Sequence, residues 1–142
     1  MTVVVDASVA LKWYVSEDGS EAALALLESD ERLIAPDLVV AELCNGAWRL
    51  IRRGELHRDQ LAIIARGVQD AFSMLHGSAS LAARAGAIAL DLDHPVYDCF
   101  YLALSEIEDA PLVSADQRLI ARTAETTFAR RTLSLRKFSA PR

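Results

Sequence analysis

Short apolar runs alternate along this chain with longer segments whose apolar residues recur at helical spacing. Four runs rich in β-branched or other apolar residues predict strands over residues 2–5, 32–35, 112–114 and 132–135. The intervening patterns predict helices over residues 7–14, 21–28, 37–54, 57–72, 78–90, 95–108 and 116–123. Strands that alternate with helices indicate an α/β fold, and we expect a three-layer α/β/α sandwich with a mainly parallel central sheet.

Length and composition are consistent with one domain that spans residues 1–142. A hydrophobic content of 52% provides a sizeable core without cross-links. No uncharged apolar run approaches the ~18 residues of a membrane span, and the first residues do not resemble a signal peptide. We therefore expect a cytoplasmic protein with no membrane association. Cys44 and Cys99 lie in apolar helical patterns, and we expect both to be free buried thiols.

Four acidic residues stand where a carboxylate is costly to place. Asp6 ends the apolar run at residues 3–5, and Asp116 follows the run at residues 112–115. Glu42 and Asp98 each interrupt an apolar helical stretch. None of the four has a Lys or Arg as a sequence neighbour, and a buried carboxylate without a partner is strongly unfavourable. If the fold gathers them, a shared Mg²⁺ or Mn²⁺ is the simplest compensation, because these ions prefer oxygen ligands.

The predicted fold gives two of these acids a common location. Asp6 and Asp116 directly follow strands, and sites in open α/β sheets form at the carboxyl ends of strands. Both acids have a simpler interpretation as N-caps of the helices that follow them. Asp98 is equally explained as a first-turn acid that the helix dipole favours. Capping does not explain Glu42, which lies within a helical stretch.

Glu42 shares one helical face with Asn45, Gly46 and Arg49, a polar stripe that we interpret as the wall of a groove. His57, His76 and His94 are scattered, and we expect them at the surface or at helix ends rather than as catalytic bases.

The net charge of −5 is unevenly distributed. Residues 118–142 hold seven basic side chains and one acidic one, whereas residues 1–117 hold eight basic and nineteen acidic ones. The basic C-terminal part is consistent with phosphate binding near an acidic metal site. A solvated surface explains the same charges equally well.

Segments around the four acids match, in order and spacing, the motifs of a known family. They are residues 3–8 (VVVDAS), 35–42 (APDLVVAE), 97–104 (YDCFYLAL) and 111–119 (PLVSADQRL). Together they resemble PIN-domain ribonucleases, and among these the VapC toxins of bacterial toxin–antitoxin pairs. The resemblance extends over essentially the whole chain.

The resemblance implies the identity of the active site. The family's metal-binding acids correspond to Asp6, Glu42, Asp98 and Asp116, and the hydroxyl that accompanies the last acid corresponds to Ser114. It also implies Mg²⁺ as cofactor, with Mn²⁺ able to substitute, and RNA as substrate. Metal-activated water would hydrolyse the phosphodiester to leave a 3′-hydroxyl and a 5′-phosphate. A homodimer that pairs with a cognate VapB-like antitoxin is expected as well.

Two other functions remain open from the residues alone. One is an aspartyl-phosphate phosphohydrolase with Asp6 as nucleophile. Such enzymes usually carry a second Asp two residues later, where this chain has Ser8, and a phosphate-binding lysine, for which it offers Lys12 or Lys137. The other is a catalytically silent PIN-like module whose acids bind arginines of a partner protein.

Overall fold

The computed structural model describes residues 1–137, in which five parallel strands form one sheet. The strands are β1 (Thr2–Val5), β2 (Arg32–Pro36), β3 (Met74–His76), β4 (Leu112–Ser114) and β5 (Thr132–Ser134). Their order across the sheet is β3-β2-β1-β4-β5, and each neighbouring pair is parallel. The expected parallel central sheet is confirmed.

Seven helices connect and cover the strands of the described residues. They are α1 (Ala7–Leu11), α2 (Ser20–Glu28), α3 (Leu38–Arg52), α4 (Gln60–Gly67), α5 (Ser78–Leu92), α6 (Val96–Glu108) and α7 (Gln117–Thr123). Helix α3 packs against α1 and α4, while α5 packs along α6. Both α3 and α6 contact β2, so the helices enclose the sheet as the predicted three-layer α/β/α sandwich.

The core is built around the central strand β1. Val3, Val4 and Val5 have no solvent exposure, as expected for a parallel strand that is covered on both faces. Among the largest fully buried side chains are Ile34 of β2 and Leu112 of β4, on the two strands that pair with β1. The β-branched runs of the sequence are therefore the centre of the sheet.

The strand order fixes where a site can form. From β1 the chain moves outward to β2 and β3, and later returns to place β4 and β5 on the other side of β1. The direction of winding reverses between β1 and β4, and a crevice opens at the carboxyl ends of strands at such a reversal. Asp6 follows β1, and Ser114 and Asp116 lie at the end of β4.

Three elements differ from the sequence prediction. Strand β3 was not predicted, because it has three residues, lies at the edge of the sheet and is only half-buried. Helix α1 ends at Leu11 rather than at residue 14. The helix predicted over residues 57–72 begins at Gln60 and ends at Gly67, after which residues 68–71 form a 3₁₀ turn.

The two cysteines are free, but only Cys99 is buried, and Cys44 is partly exposed. The prediction of two buried thiols is therefore wrong for Cys44. Within residues 1–137, no helix is both long enough and apolar enough to cross a membrane.

Candidate active site

All four acids singled out in the sequence line one open cavity of about 310 Å³ at the carboxyl edge of the sheet. Its lining consists of Asp6, Ala7, Ser8, Leu11, Glu42, Asn45, Gly46, Arg49, Asp98, Tyr101 and Asp116. The polar stripe of α3 thus forms one wall, as the helical spacing predicted. The cavity joins residues that are separated by as many as 110 positions in the chain.

Asp6 is the most buried of the four acids, with 4% of its surface exposed. Its Oδ1 accepts hydrogen bonds from the Ser8 hydroxyl at 2.6 Å and from the Val9 backbone N–H at 3.2 Å. It therefore caps α1, and it lines the cavity at the same time. Burial raises the pKa of Asp6 to about 6, although these hydrogen bonds lower it and the charge of Asp98 raises it further.

Ser114 and Ser8 fasten the ends of β1 and β4 to each other. The Ser114 hydroxyl donates to Oδ2 of Asp6 at 2.5 Å and accepts from the Asp116 backbone N–H at 3.0 Å. The Ser8 hydroxyl accepts from the Ala115 backbone N–H at 3.1 Å. Because the two hydroxyls donate to different oxygens of Asp6, they fix the orientation of its carboxylate.

Glu42 reaches the cavity from the middle of α3. Its Oε1 accepts a hydrogen bond of 2.6 Å from the hydroxyl of Tyr101, a side chain on α6 that is only 1% exposed. Burial raises the pKa of Glu42, the bond from Tyr101 lowers it, and the charge of Asp98 raises it. The pKa of Tyr101 lies well above its usual value because of burial and the nearby carboxylates. Tyr101 is therefore a permanent donor that orients Glu42.

Asp98 lies in the first turn of α6, and its Oδ2 is 2.6 Å from Nε2 of His94. The His94 side chain is 8% exposed, so this contact is shielded from water. The expectation that His94 is a surface or helix-end residue is therefore only half right. It precedes the helix, but it holds one of the four acids in place.

Asp116 is the N-cap of α7. Its Oδ1 accepts from the backbone N–H groups of Arg118 at 2.9 Å and Leu119 at 3.4 Å. The capping interpretation is correct for Asp116, as it is for Asp6. Each of these two acids lies between the end of a strand and the start of a helix. The same position lets the acid cap the helix and line the cavity at the carboxyl edge of the sheet.

The donor set of the cavity has the chemistry that a hard divalent cation requires, namely several carboxylates around one open cavity. Within residues 1–137, none of these four carboxylates forms a salt bridge with Lys or Arg. Each is instead turned toward a hydrogen-bond donor of the protein. As positioned, no three potential ligands of the described chain stand close enough together to enclose a metal ion. Metal binding by these acids therefore remains a prediction.

The basic side chains considered for phosphate binding do not all lie at the cavity. Arg49 lines the cavity, as its position on the stripe of α3 indicated. Lys12 does not, because its Nζ bonds the Asp18 carbonyl at 2.6 Å and the Glu17 carboxylate at 3.1 Å. In the C-terminal part, Arg131 pairs with Asp109 and Arg136 with Asp18. Arg142 lies outside the described residues.

Three residues that contact the acids were not assigned to the site from the sequence: Ser8, His94 and Tyr101. Tyr101 shares a helical face with Asp98, which is a usable signal. His94 stands four positions before Asp98, but a proline between them obscures helical spacing. Ser8 carries no local signal for this role, because its bond to the β4–α7 turn depends on a pairing that spans more than one hundred residues.

Comparison with known proteins identifies relatives in sequence and in fold. The family model described as the PIN domain matches residues 3–125. Ribonuclease VapC3 of Pyrobaculum aerophilum is 34% identical over 121 residues, which are 84% of this chain and 92% of that protein. A crystal structure from Pyrobaculum aerophilum covers 96% of this chain and 90% of its own, with a TM-score of 0.63 and 20% identity. A toxin–antitoxin complex from Klebsiella pneumoniae covers 94% and 97%, with a TM-score of 0.61 and 13% identity.

The buried Asp6 predicts a pH-dependent effect of Asp6→Asn on stability. In the folded state its pKa is about 6 rather than 3.8, so ionisation opposes folding. This cost is complete above pH 6, declines as the pH falls, and is absent below pH 3.8. We expect Asp6→Asn to raise the free energy of unfolding at pH 8 by up to about 3 kcal/mol, less what the altered serine contacts cost, and to raise it little at pH 4.

Urea denaturation in EDTA at the two pH values measures this effect. Asp30→Asn, at an exposed position, is the matched control and should change stability little at either pH. A difference in unfolding free energy between Asp6→Asn and the wild type that does not shift in favour of the variant from pH 4 to pH 8 would contradict the prediction.

The contact between His94 and Asp98 predicts that His94 positions a metal ligand. Removing a group that orients a ligand typically weakens metal binding by about 10- to 100-fold. We expect His94→Ala to lower Mn²⁺ affinity in that range, as measured by calorimetry. His94→Gln should restore most of the affinity, because its amide nitrogen can replace Nε2 as donor. Equal affinities in the three proteins would exclude this role.

Proposed function

The chain belongs to the PIN domain family, as a ribonuclease of the VapC type, and on this premise we propose that it is a metal-dependent endoribonuclease and the toxin of a toxin–antitoxin pair. The observation that carries the proposal is the placement of Asp6, Glu42, Asp98 and Asp116 on one cavity. Four carboxylates without Lys or Arg partners are poorly suited to bind an anionic substrate alone. They are well suited to do so with a divalent cation.

In this proposal the four acids hold Mg²⁺, for which Mn²⁺ can substitute. When bound, the ion supplies charge neutralisation for the phosphodiester and a lowered pKa for water at the site. The protein supplies the orientation of the acids. Ser8 and Ser114 fix the carboxylate of Asp6, Tyr101 fixes Glu42, and His94 fixes Asp98.

The polar side chains of α3 that line the cavity are suited to position the substrate. Arg49 and Asn45 lie on the same face of α3 as Glu42 and line the same space. Arg49 is suited to contact a phosphate oxygen, and Asn45 to donate a hydrogen bond. Both are placed to hold an RNA backbone against the acids without taking part in proton transfer.

The structure disfavours an aspartyl-phosphate mechanism. Such an enzyme usually carries a second Asp two residues after the nucleophile, and here that position is Ser8, which donates a hydrogen bond to Asp6. No lysine is among the residues that line the cavity in the described chain. A catalytically silent binding module remains compatible with the geometry, and the assay below distinguishes it.

We also propose that the protein forms a homodimer and binds a VapB-like antitoxin. The antitoxin would insert a basic side chain among the acids, where it would neutralise their charge much as a cation does. Exposed apolar side chains support association: Leu90 is 86% exposed and Tyr97 60% exposed. Trp13 is partly buried against the core, where its indole N–H donates to the Ala23 carbonyl and its ring packs on Phe72.

RNA cleavage should depend on a hard divalent cation and on the acids. We expect EDTA to stop hydrolysis, Mg²⁺ or Mn²⁺ to restore it, and Ca²⁺ to support little turnover, because its looser coordination shell activates water less well. Asp6→Asn and Asp98→Asn should each abolish RNA cleavage, because each removes a carboxylate of the proposed metal site. Gel analysis of a labelled RNA measures all of these effects.

The matched control is Asp30→Asn, an exposed acid that does not line the cavity. It should cleave at the wild-type rate. RNA cleavage by homogeneous metal-free protein would refute the mechanism. Absence of cleavage with every ion, together with retained antitoxin binding, would favour the silent module.

If the protein forms a homodimer, it should sediment as a dimer at micromolar concentration in sedimentation velocity. Leu90→Asp, which places a charge on an 86% exposed leucine, tests whether that apolar surface contributes. A wild-type protein that sediments as a monomer would contradict the homodimer. Failure of a co-expressed antitoxin to inhibit RNA cleavage would contradict the toxin–antitoxin assignment.

A further inference from the structure

A second depression lies on α3 beside the candidate active site. It encloses about 460 Å³ and is lined by Trp48, Arg49, Arg52 and Arg53, which we call the arginine–tryptophan patch. Trp48 is 46% exposed, whereas the other tryptophan of the chain is partly buried against the core. An exposed indole surrounded by three cationic side chains has no evident role in folding.

The charges of the patch are largely uncompensated. Arg53 is 3.9 Å from Glu55, and both of these side chains are more than half exposed. Within residues 1–137, Arg49 and Arg52 form no salt bridge. The guanidinium of Arg52 instead lies 5.1 Å from the centre of the Trp48 ring, which remains partly open to solvent. The patch is therefore cationic in a chain whose net charge is −5.

The patch continues directly into the cavity of the four acids, because Arg49 lines both. Glu42 and Arg49 are seven residues apart on one helical face, which is about 10 Å along the axis of α3. Arg53 lies one further turn along, or about 5–6 Å. A polymer that presents a phosphate to the acids can therefore extend along α3 onto the arginines.

From this continuity we propose that the arginine–tryptophan patch binds single-stranded RNA next to the bond that is cleaved. Arginines contact backbone phosphates, and an unpaired base stacks on the indole of Trp48. The inference rests on the proposed nuclease function and specifies its substrate class. A single strand is required, because the bases of a duplex are stacked on each other and cannot lie on a protein aromatic ring.

RNA fits the patch better than an acidic protein segment for one reason. Phosphates and bases alternate along one strand, and the patch pairs cations with an aromatic platform in the same way. The acids at the other end of the groove would repel an acidic peptide, whereas a bound cation would make them attractive to a phosphodiester.

The test compares variants of the patch in binding a fluorescein-labelled single-stranded RNA of mixed sequence, in EDTA to keep it intact. Trp48→Ser should weaken binding about tenfold, or about 1.4 kcal/mol, and Trp48→Phe should retain most of the affinity. Arg52→Gln combined with Arg53→Gln should lower affinity and reduce the slope of log affinity against log salt by about 1.4, because two phosphate contacts are lost.

A double variant at Arg32 and Arg130, both changed to Gln, is the matched control. Both residues are exposed, and Arg32 begins β2 while Arg130 lies two residues before β5, so they lie at the edge of the sheet opposite the acids. This control should leave RNA affinity within about twofold and the salt slope unchanged. In Mg²⁺, the patch variants should raise KM by the same factors and leave kcat unchanged, because the lost contacts bind substrate and transition state equally.

Wild-type affinity and wild-type KM in all patch variants would overturn the inference. So would patch variants that bind RNA normally but sediment as monomers or lose antitoxin binding, since the patch would then be a protein interface. These outcomes are distinct from failure of the nuclease proposal, in which the wild-type protein itself does not cleave RNA.

Discussion

The burial of Asp6 at the end of the central strand is the constraint on which the site depends. A carboxylate that is 4% exposed and has no Lys or Arg partner is unfavourable unless several donors face it. The fold provides these donors by ending β1 and β4 side by side, so that Ser8, Ser114 and a backbone N–H all point to one carboxylate. The hydrogen bonds reduce the cost of burial without removing it, since the pKa remains raised to about 6.

Within the described part of the chain, the other acids of the cavity also lack a Lys or Arg partner and also depend on hydrogen-bond donors of the protein. Asp98 raises the pKa of both Asp6 and Glu42, so its charge makes ionisation of these two carboxylates harder. One side chain holds each of Glu42 and Asp98: Tyr101 holds Glu42, and His94 holds Asp98. A divalent cation or a basic side chain of an antitoxin would relieve the same repulsion. Binding of a catalytic cation and binding of an inhibitory partner would thus be favoured by the same feature, the uncompensated negative charge of the cavity.

Helix α3 connects the two halves of the proposed substrate path. Its exposed face begins with Glu42, continues through small and polar residues at Asn45 and Gly46, and ends with arginines beside Trp48. Gly46 permits the close approach of α1, because a Cβ at this position would stand 3.2 Å from Leu11. One amphipathic helix therefore carries an acidic part and a cationic part on its exposed face, while its opposite face packs into the core through Leu43 and Ala47.

The sequence alone determined the architecture and the candidate acids. Runs of valine specify central parallel strands because only such strands are covered on both faces. An acid at a strand end specifies a cap and, in this fold, an edge of the sheet where sites form. The three-residue edge strand β3 escaped prediction because half-buried Met, Leu and His carry no alternating pattern.

The tertiary structure alone decided which side chains hold the acids. The bond from Tyr101 to Glu42 and the bonds of Ser8 and Ser114 across the β1–β4 junction join residues 59 to 108 positions apart. Such contacts depend on strand order and helix packing, which local periodicity does not encode.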